Sequence, residues 1–140
     1  MGPVKRDKQV ITQKFHTRHN GVDLRCVNDA FANLPVVATE SCQVLREGVD
    51  KFGNYFIVVR PLENDSFTEL KYIHIMPTNH RPGTMFKPGD FISRCMVGGN
   101  SESLHLHFET WKQSGAVDPI GYFKQAGIEY KIKGEPDGKD

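Results

Sequence analysis

The sequence lacks a dominant charge: 18 Lys and Arg stand against 17 Asp and Glu, a formal net charge of +1. That excludes the phosphate-neutralising surface behind non-specific nucleic-acid binding. No apolar run approaches the roughly 18 residues of a membrane span. Residues 1–10 carry charges where a secretory signal has its apolar stretch, so the reading is of no signal peptide. Cysteine is scarce. Cys26, Cys42 and Cys95 lie far apart with no CxxC pair, which argues against a disulfide scaffold and against a cysteine zinc site. At most one disulfide can form, and the three are read as small buried residues of a reducing compartment. There is no internal repeat and no low-complexity tract.

What remains is the composition of one folded domain. The chain has 140 residues, 38% hydrophobic and 25% charged. A chain near this size buries roughly two-thirds of its unfolded surface, so it needs neither a disulfide nor a metal merely to fold. The 13 glycines and 8 prolines favour a turn-rich β protein. Short β-branched or aromatic segments bounded by Gly, Pro, Asn and Asp read as strands: 9–14, 34–39, 41–46, 55–60, 68–75 and 104–110. Turns are expected at Lys51-Phe-Gly-Asn54 and at Phe86-Lys-Pro-Gly-Asp90, the latter with type II geometry. Asp118 to Ala126 can form a short helix after its Asp-Pro start. The class is mainly β, an antiparallel sandwich or open barrel with at most one or two short helices. Residues 1–8 are read as an N-terminal extension, 9–126 as the domain and 127–140 as a polar C-terminal tail, of which 131–140 is expected to fray.

Six histidines are the excess to be explained. In Ser103-Leu-His-Leu-His-Phe-Glu109, alternation puts Leu104, Leu106 and Phe108 on one strand face and His105, His107 and Glu109 on the other. Two imidazoles two residues apart can both reach one ion, or one can bind it while the other moves protons. An HxH on a solvated face is equally compatible with these seven residues alone. In His19-Asn-Gly-Val-Asp23 an imidazole and a carboxylate flank a glycine that lets the backbone bring them together. His19, Asp23 and one of His105 or His107 would supply three N and O ligands, the number that leaves zinc a catalytic open position. In Leu70-Lys-Tyr-Ile-His-Ile-Met-Pro77, His74 falls on the polar face of a strand with Tyr72.

In order, His19-x-x-x-Asp23, Tyr72-x-His74 and His105-x-His107 followed by Phe-Glu resemble the motifs of the lysostaphin-type (LytM-like) zinc metallopeptidases, which cut peptidoglycan peptides. Phe15-His-Thr-Arg18, Pro35 to Thr39, Phe52 to Val58, Phe86 to Asp90 and Asp118-Pro119 are similar to the segments around those motifs, so the resemblance covers about residues 9–123. It implies a groove framed by long loops and one zinc ion held by His19, Asp23 and His107. It implies catalytic roles for His105 and His74. Asn20, Tyr72 and Glu109 are candidate groove residues, with Glu109 a possible acceptor orienting an imidazole. Departures from the family pattern are Ser93-Arg94-Cys95, the short segment Gly98 to Ser103, and His16 in place of a glycine, which is expected to line the groove. His80 is expected on the surface without a partner.

The implied function is zinc-dependent hydrolysis of peptidoglycan stem or cross-bridge peptides, with the peptide as partner and no nucleic acid. A catalytically silent member that only binds wall or a partner protein is the competing reading, disfavoured by the presence of all five motif residues. A structural metal is disfavoured because no cysteine sits in a motif. With the first motif at residue 19 and no export signal, the expected setting is a bacteriophage. The protein would be a tail-associated lysin in contact with tail proteins, or an endolysin in the host cytoplasm before lysis.

Overall fold

In the computed structural model, residues 2–96 and 104–135 are described, and the segment Gly98 to Ser103 lies outside them. Eleven strands and one helix follow in chain order: β1 (Gln9–Gln13), β2 (Val22–Arg25), β3 (Pro35–Val37), β4 (Cys42–Val49), β5 (Tyr55–Pro61), β6 (Glu69–Ile73), β7 (Met85–Phe86), β8 (Phe91–Arg94), β9 (His105–Lys112), β10 (Gly115–Val117), α1 (Pro119–Ala126) and β11 (Tyr130–Ile132). Nine strands form one unclosed sheet in the order β11-β1-β2-β9-β6-β5-β4-β7, with β10 paired to β9; β3 and β8 form a second sheet. Every pairing is antiparallel except β1 with β11, so the sheet is mixed.

The period-2 pattern of the central strands decides which face is core. Val22 and Leu24 of β2, Leu106 and Phe108 of β9, and Leu70 and Tyr72 of β6 are fully buried. They pack with Val36 and Ile92 of the small sheet and with Tyr122 and Phe123 of α1. The alternate residues Asp23, His105, His107 and Glu109 therefore stand on the opposite face. The helix starts at Pro119 with Asp118 as its cap, the carboxylate accepting from Ile120 N–H at 3.0 Å. The Pro88-Gly89 turn is type II, with Gly89 at φ 86° and Asp90 N–H donating to Lys87 C=O at 3.0 Å.

Three expectations are corrected. Residues 2–8, read as an extension, pack onto the domain: Val4 is fully buried and its backbone exchanges hydrogen bonds with the Gln9 side chain at 3.1 and 2.8 Å. The tail does not begin at 127, because Ile128 is in the core and Tyr130, Lys131 and Ile132 pair with Gln9, Val10 and Ile11. A three-residue parallel edge strand is too short to carry a local signal of its own, since only its register to a distant strand defines it. Finally, Cys26 and Cys95 form a disulfide across 69 residues, leaving Cys42 as a buried free thiol. Burial, with Glu40 and Asp90 nearby, pushes the Cys42 thiol up to about 12.

Candidate metal centre

The register between β2 and β9 builds the site. Asp23 lies directly across from His107, and Arg25 across from His105, so the HxH alternation is set against a carboxylate on the neighbouring strand. His19 arrives from the turn before β2, where His16 and His19 exchange backbone hydrogen bonds at 3.1 and 2.9 Å. Gly21 follows it because a Cβ there would sit 2.3 Å from the Phe108 carbonyl oxygen. Glycine is thus demanded by close approach to β9.

His19 Nδ1 lies 2.9 Å from the Lys14 carbonyl, which only accepts, so this nitrogen carries the proton and Nε2 is turned toward Asp23 Oδ1 at 3.3 Å. His107 is arranged in mirror fashion: Nε2 donates to Glu109 Oε2 at 2.8 Å, and Nδ1 is 3.0 Å from Asp23 Oδ1. The donor atoms of His19, Asp23 and His107 lie within 4.8 Å of one another. Two imidazole nitrogens and a carboxylate, each imidazole held at its outer nitrogen, are a fitting donor set for a zinc-like cation. His105 Nε2 is 3.6 Å from Asp23 Oδ2, and the His74 ring is 5.1 Å from that of His105. His74 reaches the groove through an unusual backbone: φ is 73°, in the left-handed region, and its Nδ1 is buried with no hydrogen-bond partner among the described residues. Its N–H donates to Tyr55 C=O at 3.0 Å and its C=O accepts from Met96 N–H at 2.9 Å, which hold that conformation. The groove has a volume of about 450 Å³, and its walls include Arg18, Asn20, Asp50, Phe52 and Asn54.

The charges follow from this packing. Burial, then the neighbouring His105 and His107, lowers His74 to about 4, and burial also lowers His105, so both are neutral near pH 7. Burial opposes charge on His107, but its hydrogen bonds to Asp23 and Glu109 outweigh that and raise it to about 9. The two shifts act on metal-free stability in opposite directions. Below pH 6.5 the unfolded chain binds the His74 proton and the folded chain does not, so stability falls as pH drops toward 4. The gain from charged His107 is fully present below 6.5 and is lost as pH rises to 9. Melting of the chelator-treated protein is therefore expected to be highest near pH 6.5, each limb worth up to about 3 kcal/mol. A flat chelator-treated profile over pH 5–9 would contradict this.

The family model described as Peptidase family M23 matches residues 17–119, well over half of the chain. The chain belongs to peptidase family M23. It is 30% identical over 115 residues to lysostaphin of Staphylococcus simulans, covering 78% of this chain and 22% of lysostaphin. It is 29% identical over 115 residues to glycyl-glycine endopeptidase ALE-1 of Staphylococcus capitis, covering 78% of this chain and 30% of that protein. It thus spans less than a third of either relative. The solved catalytic domain of S. simulans lysostaphin superimposes with a TM-score of 0.62 at 25% identity, covering 81% of this chain and 88% of that one.

Within this M23 domain, His19, Asn20, Asp23, His74, His105, His107 and Glu109 all line one groove. Tyr72 does not, which corrects its placement as a groove residue. It is fully buried and packs edge-on against Phe108 at 5.2 Å, because β6 turns Leu70 and Tyr72 inward and Ile73 toward the groove. His16 is exposed and stacks on His19 at 5.6 Å, outside the groove lining. His80 has partners after all, lying 2.9 Å from the Ile92 carbonyl and edge-on to Phe86 at 5.0 Å. The groove also takes in Asp50, Phe52 and Asn54; the sequence marks Phe52 and Asn54 as part of a turn and of a family-like segment but not as groove residues, and gives no role to Asp50. The exposed Phe52 at the hairpin tip was the signal available, a bulky aromatic where turn chemistry asks for a small polar residue.

Proposed function

We propose that this domain is a zinc-dependent endopeptidase that hydrolyses peptide bonds in peptidoglycan stem or cross-bridge peptides. The observation that carries the reading is the convergence of His19 Nε2, Asp23 and His107 Nδ1 within 4.8 Å, beside two neutral imidazoles in an open groove. Three protein ligands would leave zinc a position for water or substrate, where it lowers the pKa of water toward about 7 and polarises a carbonyl. His105, kept neutral by burial, accepts the proton of the attacking water and returns it to the leaving amine. His74, neutral at working pH, donates an N–H to the developing oxyanion. The hairpin carrying Asp50, Phe52 and Asn54 forms a wall of the groove and positions the peptide.

Purified protein supplied with zinc is expected to lower the turbidity of a cell-wall suspension, and a chelator to stop it reversibly. New amino termini in the digest identify the bond: glycine termini mean the cross-bridge, diamino-acid termini the stem peptide. Wall that stays intact with zinc-loaded, folded protein would overturn the reading in favour of a silent binder. For the phage setting expected from the sequence, mass spectrometry of purified virions tests the tail-associated form.

A further inference from the structure

His107 is held on its outer side by a line of side chains along β9. His107, Glu109 and Trp111 alternate on one face of that strand. Glu109 is 8% exposed and both its oxygens are engaged: Oε2 accepts from His107 Nε2 at 2.8 Å, and Oε1 accepts from Trp111 Nε1 at 2.7 Å. The carboxylate is thus fixed in rotation as well as position. The indole is pinned in turn, because Lys71, the cross-strand partner of Glu109, lays its Nζ 4.1 Å from the Trp111 ring centroid. A second contact, 3.8 Å from Lys71 Nζ to Glu69, keeps that ammonium in place.

We propose that Glu109 and Trp111 are a positioning pair that keeps the proton of His107 on Nε2 and the Nδ1 lone pair aimed at the metal site, and so sets its metal affinity. The inference rests on the metallopeptidase reading. Both ring nitrogens face carboxylates, Nε2 that of Glu109 and Nδ1 that of Asp23; with Asp23 engaged by a cation, Glu109 is the acceptor left to hold the single N–H of the neutral ring at Nε2, which frees the Nδ1 lone pair for the cation. Without Glu109 the ring loses this preference and is free to turn about its own axis. Without the Trp111 N–H the carboxylate can rotate away from His107. Outer partners of this kind typically change metal affinity by about 10–100-fold.

The test measures zinc affinity by chelator competition in wild type, Glu109→Ala and Trp111→Phe, alongside the melting temperature of each metal-free protein. Glu109→Ala is expected to weaken zinc by about 10–100-fold. Trp111→Phe, which keeps an aromatic ring beside Lys71 but removes the N–H, is expected to weaken it by several-fold while the metal-free protein still melts cooperatively above the assay temperature. Glu109→Gln, whose amide oxygen still accepts from Nε2, is expected to recover much of the loss. Trp111 is the only tryptophan, so zinc binding should change wild-type emission and change it less in Glu109→Ala. Equal zinc affinity in wild type and both loss variants overturns the positioning role. Should Glu109→Ala fail to fold, unchanged affinity in Trp111→Phe does so alone. Wild-type protein that binds no zinc at all overturns the metal reading, and this role with it.

Discussion

Asp23→Ala is expected to lose zinc and to clear no wall, a drop of at least about a thousandfold, equivalent to roughly 4 kcal/mol of transition-state stabilisation. The size follows from what one carboxylate touches. Its Oδ1 faces His19 Nε2 at 3.3 Å and His107 Nδ1 at 3.0 Å, and its Oδ2 faces His105 at 3.6 Å. Removing it takes away the only anion in the proposed donor set and leaves two imidazoles, too few to hold a cation against water. The fold should survive, because β2 keeps its backbone pairing to β1 and β9 and its inward residues Val22 and Leu24. In the same scheme, His105→Ala and His74→Ala retain zinc while losing turnover, which separates the ligand and proton-handling roles. Metal analysis beside the turbidity assay makes the comparison. Full activity in Asp23→Ala, or zinc loss in His74→Ala, would overturn the assignment.

Chemistry was legible in the sequence wherever it is written in local spacing. Alternation in 104–108 predicts both the buried Leu106 and Phe108 and the groove-facing His105 and His107, because pleating needs only the order of residues. The same rule fails at His74. Strict alternation puts Tyr72 and His74 on one face, whereas Tyr72 is core and His74 is turned into the groove by its positive φ. A left-handed histidine is held by tertiary hydrogen bonds to Tyr55 and Met96, which no local pattern contains. Register is equally invisible: β2 is four residues long, and its value lies in setting Asp23 opposite a histidine 84 residues away. Glu109 was legible as a face-sharing neighbour of the imidazoles, but its second partner, Trp111, emerges only once the β9 side chains are placed.

The Cys26–Cys95 bridge was the least legible feature and carries the other large expected effect. A cross-link closing 69 residues removes about 4 kcal/mol worth of chain entropy from the unfolded state. Cys26 follows directly on β2, the strand of Asp23, and Cys95 pairs with Ile75, next to His74. The bridge therefore ties the strand of a proposed ligand to the segment that holds a proposed catalytic histidine. Reduction, or Cys26→Ser with Cys95→Ser, is expected to lower the melting temperature by roughly 15 °C. At temperatures where the reduced protein is still folded, turnover should fall more than zinc affinity. The reason is that Met96 N–H, one residue past the bridge, anchors the His74 carbonyl, while His19, Asp23 and His107 keep their own supports. Thiol counting after denaturation gives the control. One reactive thiol is expected before reduction and three after, since three cysteines with one bridge leave one thiol free. Unchanged melting in protein shown to carry three free thiols would mean that the sheet holds these strands together without the cross-link.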